Sequence, residues 1–152
     1  MTAHEHILSR PGESTVFHLD STWWIPAAED RVWEVLAEIS SWSQWWHGMT
    51  RSLRRDGTAW LEVRSPLGYR LNLVLTLLSE TPRHSARFTV DGDLRGVGSV
   101  LTAAHGSGTR VDIMWCVVTR RRLIGRFRLL ARWAHAVVMA AGRRGLRRAT
   151  ES

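Results

Sequence analysis

Seven histidines are spread along the chain, at His4, His6, His18, His47, His84, His105 and His135. An unperturbed imidazole titrates near neutrality and so suits proton transfer. Their spacing argues against metal chemistry. Only His4 and His6 stand close enough in sequence to share an ion, and no histidine pairs with the one cysteine in a ligand pattern, so no metal is expected. Gly96-Val97-Gly98 lacks the third glycine and the following helix of a dinucleotide fingerprint. No Gly-x-Ser-x-Gly elbow occurs. Neither a cofactor nor a serine-hydrolase centre is therefore expected. Cys116 cannot form an internal disulfide and reads as a buried thiol in mid-strand.

Two groups remain for acid–base work. His135 is the histidine at the edge of an apolar stripe on the last long segment. Facing a cavity, it would give a proton to a carbonyl or take one from an acidic carbon. The plainer reading is a hydrogen bond to a neighbouring strand or loop. Tyr69 is the only tyrosine and follows a Pro66-Leu67-Gly68 turn. It is either a hydroxyl that orients a ligand or an aromatic lid whose hydroxyl reaches water.

Both groups need elements to hold them. Leu123 to Arg148 reads as one helix of about seven turns. Phe127, Leu130, Ala131, Ala134, Val138, Ala141 and Gly145 fall on one face, and Arg126, Arg132, Arg143, Arg144 and Arg147 on the other. The apolar stripe is made mostly of small residues. It lets another surface approach closely or leaves room for something else. Upstream, Thr15 to Ile25 alternates as a strand with Phe17, Leu19, Trp23 and Ile25 on one side, and Pro26 ends it. A helix follows, with Glu29 and Asp30 in its first turn and Ala28, Val32, Val35, Leu36 and Ile39 as its buried stripe. Ser41 is placed to cap a short second helix carrying Trp42, Trp45 and Trp46.

From Gly48 onward turn signals recur about every ten residues, which predicts a meander of six antiparallel strands. The Pro66-Leu67-Gly68 loop sets one register: Ser65 opposite Tyr69, Val63 opposite Leu71, Leu61 opposite Leu73. The apolar face then runs on through Leu75 and Leu77. A two-residue or four-residue loop would set Glu62 and Arg64 against the leucines and bury unpaired charge. Asp91-Gly92-Asp93 likewise puts Phe88 across from Gly96, with Gly98 next along. Glycines there would let the sheet bend while an aromatic ring covers them. The last strand, Thr109 to Thr119, carries Val111, Ile113, Trp115 and Val117 on one face. The first strand can pair across the meander's far edge and make seven.

The chain has 152 residues, 44% of them hydrophobic, and carries a net charge of +7. That is one domain with a core, read here as residues 14–150 behind a loose tail at 1–13. No apolar run is long enough to span a membrane, and no signal peptide centre is present, so a cytoplasmic protein is expected. All 21 basic residues are arginine, and those from Arg120 to Arg148 face a single acid, Glu151. Such a patch suits an anionic membrane surface, RNA or an acidic carrier protein, or is simply a solvated helix face. Trp133 projects among those arginines, where a membrane interface or a dimer contact would suit it.

The order of strand, two helices, six strands and helix, with these residues, resembles the START-like superfamily of helix-grip proteins. More narrowly it is similar to the polyketide cyclase/dehydrase family. The matching stretches are residues 24–36, from Trp24-Ile25-Pro26 to Val35-Leu36, then Trp42-Ser43-Gln44-Trp45-Trp46, and Gly92 to Gly98. His135, Met139, Gly142, Gly145 and Leu146 match a C-terminal spacing of one branch, although Ala136 stands where that branch often has an acid. The resemblance covers about residues 15–148. It implies an α+β helix-grip fold: a curved seven-stranded antiparallel sheet wrapped around a long C-terminal helix, with two short helices after the first strand.

Three functions follow as expectations. The first is binding of a small hydrophobic ligand, lipid- or polyketide-like, between sheet and helix. The first strand would supply Phe17, Leu19 and Trp23, and the hairpin Leu61, Val63, Tyr69, Leu71 and Leu73. Phe88 and Trp115 would come from later strands, and Phe127, Ala131, Ala134, His135 and Val138 from the helix. The second is a polyketide cyclase or dehydratase acting on a poly-β-keto chain held by an acidic carrier protein, with His135 and Tyr69 moving protons. The third is an RNA- or ribosome-associated module. Few aromatics interleave the terminal arginines for stacking on bases, so nucleic acid is not the expected partner. The chain is expected to be a monomer or a homodimer.

Overall fold

The computed structural model describes residues 7–151; His4 and His6 lie outside the described residues. Turn chemistry builds the sheet. In the loop at 66–68 the Gly68 amide donates to the Ser65 carbonyl (3.0 Å), Gly68 takes a φ of +94°, and the Ser65 amide donates to Tyr69 (2.9 Å). β3 (Thr58–Arg64) and β4 (Arg70–Thr81) therefore pair Leu61 with Leu73 and Val63 with Leu71, as the loop length dictates. β2 (Met49–Arg55) pairs on β3's other side. The strands β5 (Ser85–Gly92), β6 (Arg95–His105) and β7 (Gly108–Val118) continue the meander. β1 (Phe17–Ile25) closes against β7, giving the order β1-β7-β6-β5-β4-β3-β2.

The β5–β6 register differs from expectation by two residues. Phe88 pairs with Gly98, and Val90 with Gly96. The cause is Asp93. Its amide donates to the Asn72 carbonyl (2.9 Å) and its carboxylate accepts from the Asn72 amide (2.7 Å). Those bonds hold the chain on β4 past Asp91, so the reversal comes later. The shift is even, and every side chain keeps its face. Phe88, Gly98 and Trp115 then stand side by side on three strands. A Cβ at Gly98 would fall on the Phe88 ring, so the glycine lets Phe88 and Trp115 meet edge to face at 5.5 Å. The strand ends depart from alternation at Leu77, which is exposed beside a bulge.

The first helix, α1 (Glu29–Ala37), buries Val32, Trp33 and Leu36; Ala28 is exposed at its N-cap rather than in the stripe. A 3-10 turn leads to α2 (Trp42–Trp45). Ser41 does not cap α2 with its side chain. Its hydroxyl instead donates to the Glu38 carbonyl (2.7 Å).

The long C-terminal helix is broken. α3 (Arg122–Arg126) stops at Phe127, whose φ and ψ are −103° and 63°, and α4 (Arg128–Ala149) starts again after it. Arg128 is the reason. Its guanidinium stacks 3.8 Å from the Phe17 ring centre and donates to the carbonyls of Thr15 and Val16, fastening the start of α4 to the start of β1. The break turns Phe127 and Leu130 to the surface. The buried stripe of α4 is instead Ala134, Met139, Ala141, Gly142, Gly145 and Leu146.

The two halves of that stripe differ. Cβ atoms at Gly142 would run into the rings of Trp46 and Trp23, and one at Gly145 into the backbone of Trp45. Here small residues serve close approach, and Trp46 Nε1 donates to the Val138 carbonyl across the contact (2.8 Å). Toward the N-terminus of α4 the strands stand off and a hollow opens. The segment read as a loose tail is fastened from Leu8 onward. Arg95 donates to both oxygens of Glu13 (2.8 Å each) and to the Leu8 carbonyl, and this holds the Glu13 pKa at about 2.

Candidate functional site

The hollow lies between the first half of α4, with Ile124 of α3, and the concave face of β1, β3, β4 and β7. It spans about 900 Å³ including its open mouth. Phe17, Leu19, Leu61, Val63, Leu71, Leu73 and Trp115 line it from the sheet; Ala131, Ala134, His135 and Val138 line it from α4, and Tyr69 from the loop. Twelve of the residues singled out in the sequence thus line one hollow.

Three do not. Trp23 is buried, but its ring packs on Trp46 (5.5 Å) and over Gly142. Phe127 is exposed at the helix break. Phe88 lines a second hollow, about 840 Å³ including the solvent at its mouth, bounded by Trp33, Leu36 and Ile39 on one side and Ala59, Leu75, Val100 and Ile113 on the other. Trp42, Trp46 and Trp115 line both hollows and form the wall between them.

Sequence reasoning missed Trp42, Trp46, Met49, Ser65, Leu94, Val117, Ile124 and Met139 as lining residues. Val117 was visible in the β7 alternation and Trp42 and Trp46 in the aromatic cluster. Met139 follows from the shifted face of α4, which no local pattern marks.

The lining is almost wholly apolar, so its few polar atoms matter. Two nitrogens of lining residues are buried without a hydrogen-bond partner among the described residues: His135 Nε2 and Trp115 Nε1. Leaving such a group unpaired costs about 1–3 kcal/mol. The indole N–H can only donate, whereas a neutral imidazole nitrogen donates or accepts. His135 is held neutral. Burial, and then the Arg132 charge one turn away, lower its pKa from 6.5 to about 4. A base that weak is poorly matched to proton abstraction at pH 7. Tyr69 shows its ring to Arg121, whose guanidinium sits 5.5 Å from the ring centre.

The histidine makes a pH prediction. Between about pH 6.5 and 4 the unfolded chain binds a proton at position 135 that the folded chain refuses. Stability therefore falls as pH drops through that window, and His135 has no effect above it. His135→Gln should reduce the loss in urea midpoint between pH 7 and pH 5. An unchanged loss would mean the imidazole is not desolvated.

Among the described residues no group of three or more His, Cys, Asp or Glu is placed to hold a metal ion, and no helix is long and apolar enough to cross a membrane.

A curled antiparallel sheet gripping a C-terminal helix beside an apolar hollow is the START-like helix-grip architecture. Solved structures share it. The protein TTHA0849 from Thermus thermophilus superposes with a TM-score of 0.75 at 17% identity, covering 88% of this chain and 97% of that one. The Zhui aromatase/cyclase from Streptomyces sp. R1128 gives 0.74 at 15%, covering 90% and 94%. A START superfamily protein from Mycobacterium smegmatis gives 0.72 at 11%, covering 88% and 97%. At these identities the likeness is one of fold. No curated protein sequence matches the chain. The profile of the family described as polyketide cyclase/dehydrase and lipid transport matches residues 17–151, and the chain belongs to that family.

Proposed function

We propose that the chain binds a small hydrophobic molecule bearing at least one oxygen acceptor, held between the sheet and the N-terminal half of α4. The observation that carries this is an apolar hollow lined by Trp115 and His135, two residues whose ring nitrogens Nε1 and Nε2 are buried without a hydrogen-bond partner among the described residues. Native structures rarely leave such groups unpaired, and a ligand carbonyl, ether or hydroxyl would satisfy them. An aliphatic or aromatic skeleton would fill the rest.

A matched pair of ligands tests it. 2-Acetylnaphthalene and 2-ethylnaphthalene have nearly the same shape, but only the ketone accepts a hydrogen bond. Calorimetry should show the wild-type chain preferring the ketone by about tenfold, the worth of one hydrogen bond in a dry site. Trp115→Phe should erase the preference. If neither compound binds, or both bind equally, the proposal is wrong. Native mass spectrometry of freshly purified protein identifies any co-purified molecule.

A second reading is a cyclase or dehydratase acting on a carrier-bound poly-β-keto chain. Family membership favours it. His135 would be its proton-transfer group, and the lowered pKa counts against that role at pH 7. Turnover of such a chain that survives His135→Gln together with Tyr69→Phe would remove this reading.

A further inference from the structure

We propose that the outward face of α3 and the first two turns of α4 is a docking surface for an anionic lipid bilayer. Five large apolar side chains stand out to solvent within eleven residues: Leu123 (72% exposed), Phe127 (47%), Leu129 (85%), Leu130 (49%) and Trp133 (53%). Isolated exposed apolar residues are ordinary, but a contiguous cluster marks an interaction site. Leu129, Leu130 and Trp133 fall on one helix face by their spacing. Interleaved with them are Arg122, Arg126 and Arg132, all exposed and none in an ion pair among the described residues. No acid occurs between Arg120 and Thr150.

Charge decides the occupant. A second copy meeting this face about a two-fold axis would set arginine against arginine. An anionic bilayer meets the whole pattern. Leucine and phenylalanine enter the acyl region, the tryptophan ring sits at headgroup level, and the guanidinium groups pair with phosphates on stems that lie along apolar surface. An acidic protein would satisfy the arginines but gives no reason for side chains as prominent as Leu129 and Leu123.

Position supports the same choice. Ile124 and Ala131 line the hollow from the very turns that carry Leu123 and Leu130 on the outside. The wall of the hollow and the docking face are two sides of one helical segment. If the ligand proposed above is correct, it would pass between hollow and hydrocarbon along that segment without crossing bulk water. The docking face does not depend on that ligand, because exposure and charge define it.

Vesicle flotation tests it with the full chain. Vesicles of 30% phosphatidylglycerol in phosphatidylcholine, at low salt, should carry the protein, and pure phosphatidylcholine should hold at least tenfold less. Leu129→Ser with Trp133→Ser should cut partition tenfold or more while Tm and 2-acetylnaphthalene binding stay unchanged. Arg126→Gln with Arg132→Gln should cut it roughly 25-fold, about fivefold for each arginine near the surface. That readout separates loss of docking from loss of the hollow. The proposal is overturned if anionic vesicles carry no protein, or if either double variant floats like wild type. It is also overturned if the face instead supports a dimer, or a complex with an acidic acyl carrier protein, that Leu129→Ser with Trp133→Ser dissolves while vesicle partition is absent.

Discussion

Ala134→Phe is expected to weaken ligand uptake by roughly tenfold to a hundredfold while the protein stays folded. Ala134 is buried, on a turn of α4 that lines the hollow. A benzyl group there is expected to occupy the hollow that Ala134 lines. A ligand would then have to overlap it, and each such misfit costs about 1–3 kcal/mol, or roughly tenfold to a hundredfold in affinity. Filling a void commonly adds about 0.5–2 kcal/mol of stability, so Tm should hold or rise by a few degrees. Calorimetric titration with 2-acetylnaphthalene beside a thermal melt checks both halves. Retained binding would place the ligand elsewhere, and a large fall in Tm would mean the space is already filled.

Gly145→Ala should do the reverse: leave the hollow untouched and destabilise the fold. In an exposed helix the change would gain about 1 kcal/mol from helix propensity. Here the new Cβ would fall on the Trp45 backbone carbonyl and lie 2.8 Å from its carbon. Backbone cannot swing aside as a side-chain tip can. We expect a net loss of about 2–3 kcal/mol, a drop of roughly 4–12 °C in Tm. Gly142→Ala should lose less, since it meets the rings of Trp46 and Trp23 rather than backbone. A Gly145→Ala variant more stable than wild type would mean that α2 and α4 do not approach this closely.

The sequence carried the β3–β4 pairing because the rule was local: Pro66, Gly68 and the cost of burying Glu62 leave one register. The β5–β6 pairing slipped because its determinant, the bond between Asp93 and Asn72, joins residues 21 apart. The break at Phe127 was hidden for the same reason. Nothing in Arg126-Phe127-Arg128 forbids a helix, and the cause lies with Arg128 reaching Phe17 and Val16 across the fold. Alternation identified most of the wall of the first hollow, since a strand's inward face is periodic. It could not show that Trp115 Nε1 lacks a partner, which depends on everything around it. Nor could it reveal the second hollow, which is a gap between distant elements.

The indoles of Trp42, Trp46 and Trp115, set between the two hollows, make the protein its own optical reporter. A molecule arriving on either side changes the surroundings of shielded rings, whereas Trp133 alone on α4 answers to water or lipid from outside. Emission from a Trp133→Phe variant would follow cargo, and the difference from wild type would follow the bilayer. Loading and landing could thus be timed separately in one cuvette, without any attached label.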